Sequence, residues 1–143
     1  YALPHLKRSR GRIVAIASVA ARTGIPTRTG YAASKHAMVG FFESLRIEVE
    51  DDGISVTIAY PDFVASGMHT RSLGPDGKPL GHNPLQLDKI MTSEACARLT
   101  LEGAAARKRQ VVMSNRSRFG QWLKLIAPGQ VDKIAKKAIA KGK

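Results

Sequence analysis

Three side chains in the first quarter of the chain can together move a proton: Ser18, Tyr31 and Lys35, separated by thirteen and then four residues. Four is the helical step that sets two side chains next to each other on one face. A phenol alone is a poor acid-base group at neutral pH, but a neighbouring ammonium and the positive end of a helix both favour its ionised form. A serine hydroxyl brought over that phenol can hydrogen-bond a carbonyl or alcohol oxygen and hold it there. A tyrosine and a lysine four apart are by themselves a common solvated pair. The content lies in the conjunction with the serine, a strand before it and a helix beneath it.

The flanking text supplies the elements such a device needs. Residues 13–16 are a run of small and β-branched apolar residues ending near Ser18, which reads as a buried parallel strand. A loop with Gly24, Pro26 and Gly30 follows. From Tyr31 the periodicity is helical, with Met38, Phe42, Leu45 and Val49 on one stripe, and the helix is expected to run to about Asp52 with Gly53 as its stop signal. Residues 54–60 form a second β-branched strand closed by Pro61. Strand, helix and strand make a βαβ unit with parallel strands and a right-handed crossover. Ligands of such sheets sit at the carboxyl ends of the strands, where Ser18 and Pro61 lie.

Ser18, the run Tyr31-Ala32-Ala33-Ser34-Lys35, and the flanking Gly11-Arg12-Ile13-Val14 and Gly40-Phe41-Phe42 resemble the Ser, Tyr-x-x-x-Lys signature of the short-chain dehydrogenases/reductases. The resemblance implies hydride exchange between NAD or NADP and an alcohol or carbonyl substrate. It assigns Tyr31 as acid/base, Lys35 as the group that eases ionisation of the phenol and holds the nicotinamide ribose, and Ser18 as the group that positions substrate. Pro61-Asp62-Phe63-Val64-Ala65-Ser66 looks like the family's Pro-Gly-x-x-x-Thr turn. That likeness implies that Pro61, Val64 and Ser66 join Tyr31 and Lys35 in contacting the cofactor. Two departures stand out: Asp62 replaces glycine, adding a negative charge near the cofactor, and Ser66 replaces threonine but keeps the hydroxyl. Residues 67–88 are loop-like and would close over an apolar substrate, with Met68, Leu73, Leu80, Leu85 and Leu87 inward.

The family's Thr-Gly-x-x-x-Gly-x-Gly cofactor turn does not occur, nor does its Asn-Asn-Ala-Gly strand end. The resemblance therefore covers roughly the C-terminal half of a family member. The expected fold is a doubly wound α/β parallel sheet of the Rossmann type without the N-terminal cofactor-binding strands. Residues 1–127 would belong to that sheet domain and residues 128–143 to a basic amphipathic helix. The missing initiator methionine fits a piece of a longer sequence, and the fragment alone is expected to be inactive. Family members often pair through the helix bearing the tyrosine, and Val39 and Ile47 would allow a homo-oligomer.

Composition bounds the remainder. The 143 residues suit one domain, and the formal charge is +12. Residues 1–97 carry eleven basic and nine acidic groups, residues 98–143 twelve and two, so the excess is C-terminal. Such a face is most often simply solvated, and no nucleic acid is expected as a partner. Two rival readings remain: a module binding an anionic membrane or nucleic acid through the basic tail, and an inactive truncated relative. Cys96 is the only cysteine, so a reducing cytoplasmic compartment is expected. No run of about 20 apolar residues is present. His5, His36, His69 and His82 have no metal-ligand spacing with one another or with Cys96.

Residues 92–107 read as a helix capped at Thr92-Ser93-Glu94, with Ala95, Leu99, Gly103 and Ala106 towards the core, and 110–113 as a third strand. In the tail, Phe119, Trp122, Leu123 and Ile126 share a face expected to pack on the body beside the substrate loop. After a break at Pro128-Gly129, the Lys-rich segment 131–141 is expected to be peripheral and to touch an anionic membrane.

Overall fold

A computed structural model of the chain describes residues 1–66, 71, 73, 77–79 and 90–141. A short helix α1 (Leu3–Ser9) leads into strand β1 (Arg12–Ile16), a 3-10 turn at Val19–Ala21, the long helix α2 (Thr29–Glu48) and strand β2 (Ser55–Tyr60). Two-residue strands β3 (Val64–Ala65) and β4 (Met91–Thr92) pair in parallel. Helix α3 (Ser93–Ala105), strand β5 (Gln110–Val112) and helices α4 (Asn115–Ile126) and α5 (Pro128–Lys141) complete the order. The main sheet is parallel with β2 between β1 and β5, in registers such as Ile13 with Val56 and Ala59 with Val111.

The central strand is buried from Val56 to Tyr60, as a parallel strand covered on both faces must be. Alternation assigns its two faces. Val56, Ile58 and Tyr60 belong to apolar clusters completed by Met38, Val39, Phe42 and Leu45 of α2. On the other face Thr57 meets α3 at Gly103, and its hydroxyl donates to the Lys108 carbonyl at 2.7 Å. Gly103 is there because α3 lies so close to β5: a Cβ would fall 2.2 Å from Cγ2 of Val111.

The fold differs from expectation at several places. β1 pairs only with β2 among the described residues, and Val14 and Ile16 are exposed, so the run is an edge strand and not a fully buried one. α2 starts at Thr29 and ends at Glu48, four residues short of Asp52. Val49 is drawn into the cluster with Ile54 and Val56, and an acidic run disfavours the negative end of a helix. Gly53 sits in the turn beyond, at φ +69°, where glycine is the residue without a steric penalty. Val39 packs against the core, whereas Ile47 is exposed.

In α3, Thr100 and Ala104 are buried with Gly103, while Ala106 is exposed as the C-cap; Thr92 is the N-cap, accepting from the Ala95 amide at 3.2 Å. Leu73 is exposed, and the inward placement expected for Met68, Leu80, Leu85 and Leu87 lies outside the described residues. Phe119, Trp122 and Ile126 point to solvent, which overturns their expected packing on the body. Pro128 opens α5 as its first residue, where its missing N–H costs nothing. Among the described residues no helix is long and apolar enough to cross a membrane, and no three His, Cys, Asp or Glu side chains could hold a metal ion.

Candidate active site

Ser18 follows the carboxyl end of β1, where the chain turns sharply: the Ala17 amide still bonds the Ala59 carbonyl at 2.9 Å and the Val19 amide the Pro61 carbonyl at 3.0 Å. Its backbone is extended, and its hydroxyl caps the 3-10 turn by accepting from the Ala20 amide at 3.2 Å. That bond uses an oxygen lone pair and leaves the hydroxyl proton for another acceptor. The side chain is buried at the cleft floor.

Tyr31 is the third residue of α2, in the first turn, where unpaired backbone N–H groups make the helix end positive. Lys35, one turn on, holds its ammonium 5.9 Å from the centre of the Tyr31 ring and donates to the Ile16 carbonyl at 3.0 Å. The lysine thus ties the helix to the end of β1. It also sets an ammonium on the same side of the helix as the Tyr31 ring.

These residues open on a cleft of about 320 Å³ at the carboxyl ends of β1 and β2. Ser18, Tyr31 and Lys35 line it together with Pro61, Val64 and Ser66, so all six expected site residues come to one place from three segments. Ile16, Ile25, Phe63 and Cys96 add apolar wall. Burial pushes the Cys96 thiol above its ordinary value of 9.0, opposed in part by the Thr100 hydroxyl. A thiol held neutral is a poor nucleophile.

Asp62 was expected to bring a negative charge to the cofactor; the structure gives that charge other partners. Arg116 donates one guanidinium nitrogen to both carboxylate oxygens, at 2.9 and 2.8 Å, and the hydroxyls of Ser114 and Ser117 donate to Oδ2 at 2.9 and 3.3 Å. Ser114 is in turn the N-cap of α4, accepting from the Ser117 amide at 3.1 Å. Asp62 therefore fastens α4 to the turn after β2. The Ser-x-x-Ser spacing signals the cap, but nothing local signals the carboxylate 52 residues earlier that joins it.

Residues 1–75, just over half of the chain, match the family model described as short chain dehydrogenase. The chain belongs to the short chain dehydrogenase family. It is 35% identical over 128 residues to an 11-beta-hydroxysteroid dehydrogenase-like 4A of Arabidopsis thaliana, covering 90% of this chain and 41% of that protein. It is 32% identical over 133 residues to a dehydrogenase/reductase SDR family protein 7-like of Dictyostelium discoideum, covering 93% and 40%. The chain thus spans about two fifths of the length of these curated relatives. A crystal structure of a short chain dehydrogenase from Burkholderia cenocepacia in complex with NADP aligns with a TM-score of 0.73 at 17% identity, over 93% of this chain and 50% of that one. At that identity the likeness speaks for the fold, a partial Rossmann-like sheet with flanking helices.

Proposed function

We propose that this chain is the catalytic half of an NAD(P)-dependent oxidoreductase acting on an alcohol or carbonyl compound, apolar around its reacting carbon. The observation that carries the reading is the convergence of Ser18, Tyr31, Lys35 and the Pro61 to Ser66 turn on one cleft. The residues present fit the nicotinamide end of a dinucleotide: a lysine ammonium for ribose hydroxyls, and a strand-ending turn carrying the Ser66 hydroxyl. When bound, the nicotinamide supplies or takes up the hydride. This chain's residues do the rest.

Ser18 donates its hydroxyl proton to the substrate oxygen and fixes it at the phenol. Tyr31 gives a proton to that oxygen in reduction and removes one in oxidation. Lys35, held by the Ile16 carbonyl, keeps its ammonium beside the Tyr31 ring, where it can meet the ribose hydroxyls. The apolar wall of Ile16, Ile25 and Phe63 suits a non-polar substrate and lowers the local dielectric, strengthening these interactions. The glycine turn that would take the pyrophosphate is absent from these residues, so the chain alone is a poor cofactor binder. Exposed Phe41 and Ile47 on α2 support pairing of two copies through that helix.

The test is Tyr31→Phe in this chain joined to the N-terminal half of a family member. Turnover should fall by about a hundredfold or more, the usual worth of acid-base catalysis, while affinity for the dinucleotide changes by far less. Near-normal turnover would end the assignment.

A further inference from the structure

Helix α4 sits on the protein the wrong way round for a core helix. Phe119, Trp122 and Ile126 recur at the three- and four-residue steps that make one stripe. They are 67%, 70% and 81% exposed, with Leu125 beside them at 78%. The face turned to the protein is the polar one. Gln121 accepts from the guanidinium of Arg22, which itself stacks 3.7 Å over the ring of Tyr60. Lys124 donates to the Arg22 carbonyl at 2.7 Å, and the helix start is gripped by Asp62 through Ser114, Arg116 and Ser117. These long-range bonds fix the rotation of the helix. Leu123 is half-buried, and the remaining large apolar side chains are outside because Gln121, Lys124 and the Asp62 cluster hold the helix in this rotation.

We propose that this outward face of α4 is a docking surface for an anionic lipid bilayer. Four large apolar side chains exposed on one short helix mark an interaction site. The surroundings in sequence are cationic: Arg118 on α4 and Lys133, Lys136 and Lys137 on α5 are exposed, and Asp132 is the one acid between residues 115 and 137. Aromatic and aliphatic side chains on a helix bordered by lysine and arginine are the composition that lies in the headgroup layer. A second copy of the same face would set these like charges against one another. A nucleic acid would need the cations at the centre of the patch. The site is independent of the catalytic cleft, so it stands or falls apart from the reading of Tyr31.

Trp122 is the chain's only tryptophan and reports directly on the surface. With vesicles of phosphatidylserine and phosphatidylcholine at low salt, its emission should shift to the blue and the chain should sediment with them. Phosphatidylcholine vesicles, or salt that shortens the screening length to about 3 Å at 1 M, should weaken this about tenfold or more. Phe119→Ser with Ile126→Ser, both at exposed positions, should weaken it about a hundredfold. Replacing Lys133, Lys136 and Lys137 by Gln should remove the preference for anionic lipid and leave the rest.

Three results would overturn the proposal. One is no emission shift on anionic vesicles. Another is vesicle binding unchanged by the Phe119→Ser, Ile126→Ser pair. The third is Trp122 already shielded from a soluble quencher without lipid, whether by a second copy seen in gel filtration or by another part of the longer protein.

Discussion

Asp62 is a residue whose role the family pattern obscures, because it stands where glycine is usual and yet lies inside a network. Its side chain is 14% exposed and that of Arg116 71% exposed, so the pair is half screened, but the two serine hydroxyls are not replaced by water at no cost. Asp62→Gly should therefore lower stability by about 1–2 kcal/mol in denaturant unfolding, and Asp62→Asn by less, since the amide still accepts from the hydroxyls. An unchanged midpoint for Asp62→Gly would show that α4 is held by Arg22 alone. Cys96 gives a pH prediction. Its thiol titrates above its ordinary value of 9.0 because burial disfavours the thiolate, so folding favours the protonated form. That contribution is complete below 9.0 and is lost as pH rises past it. Alkylation by iodoacetamide should accordingly be slower at pH 8 than for an unfolded control. A rate equal to the control would contradict the burial.

At the scale of elements, what could be read in the sequence was what local spacing determines. Tyr31 and Lys35 share a face because a helix repeats every 3.6 residues, and β2 reads as a strand because it is rich in β-branched residues and is closed by Pro61. The end of α2 was misplaced because Val49 is taken by the core, a tertiary preference that no propensity carries. The face of α4 was read correctly as apolar but assigned to the wrong side. A helical wheel says which residues lie together; which face meets the body was decided by Asp62 and Arg22, more than fifty residues away. Gly103 shows the same limit. The sequence places it towards the core, but only the fold shows that a glycine is what lets α3 approach Val111. Gly103→Ala gains about 1 kcal/mol of helix propensity but forces Val111 to shift, at about 1–3 kcal/mol of overpacking. Thermal unfolding should show a net loss, and Gly103→Val a larger one; a raised melting temperature in both would mean that α3 can move away freely.

At the scale of the whole molecule, the sheet has an open edge at β1 among the described residues. β2 is covered on every side, but β1 carries exposed Val14 and Ile16 and pairs with nothing beyond β2 among the described residues. The cleft lies at the carboxyl ends of these same strands, so the nicotinamide half of a dinucleotide would find Tyr31, Lys35 and the Pro61 to Ser66 turn already assembled. The pyrophosphate half needs a helix N-terminus behind a glycine-rich turn, which gathers several backbone N–H groups around the phosphates. The 143 residues contain no such turn. A nicotinamide ring held at one end alone forfeits those phosphate contacts. The isolated chain should therefore bind NADP more weakly than millimolar, a free energy of about −4 kcal/mol, in calorimetry. Joining the preceding half of a family member upstream should restore tight binding through β1's open edge, and Lys35→Met in the joined protein should then weaken it again. Micromolar binding by the isolated chain would mean that the cleft around Lys35 holds the cofactor without a phosphate cradle.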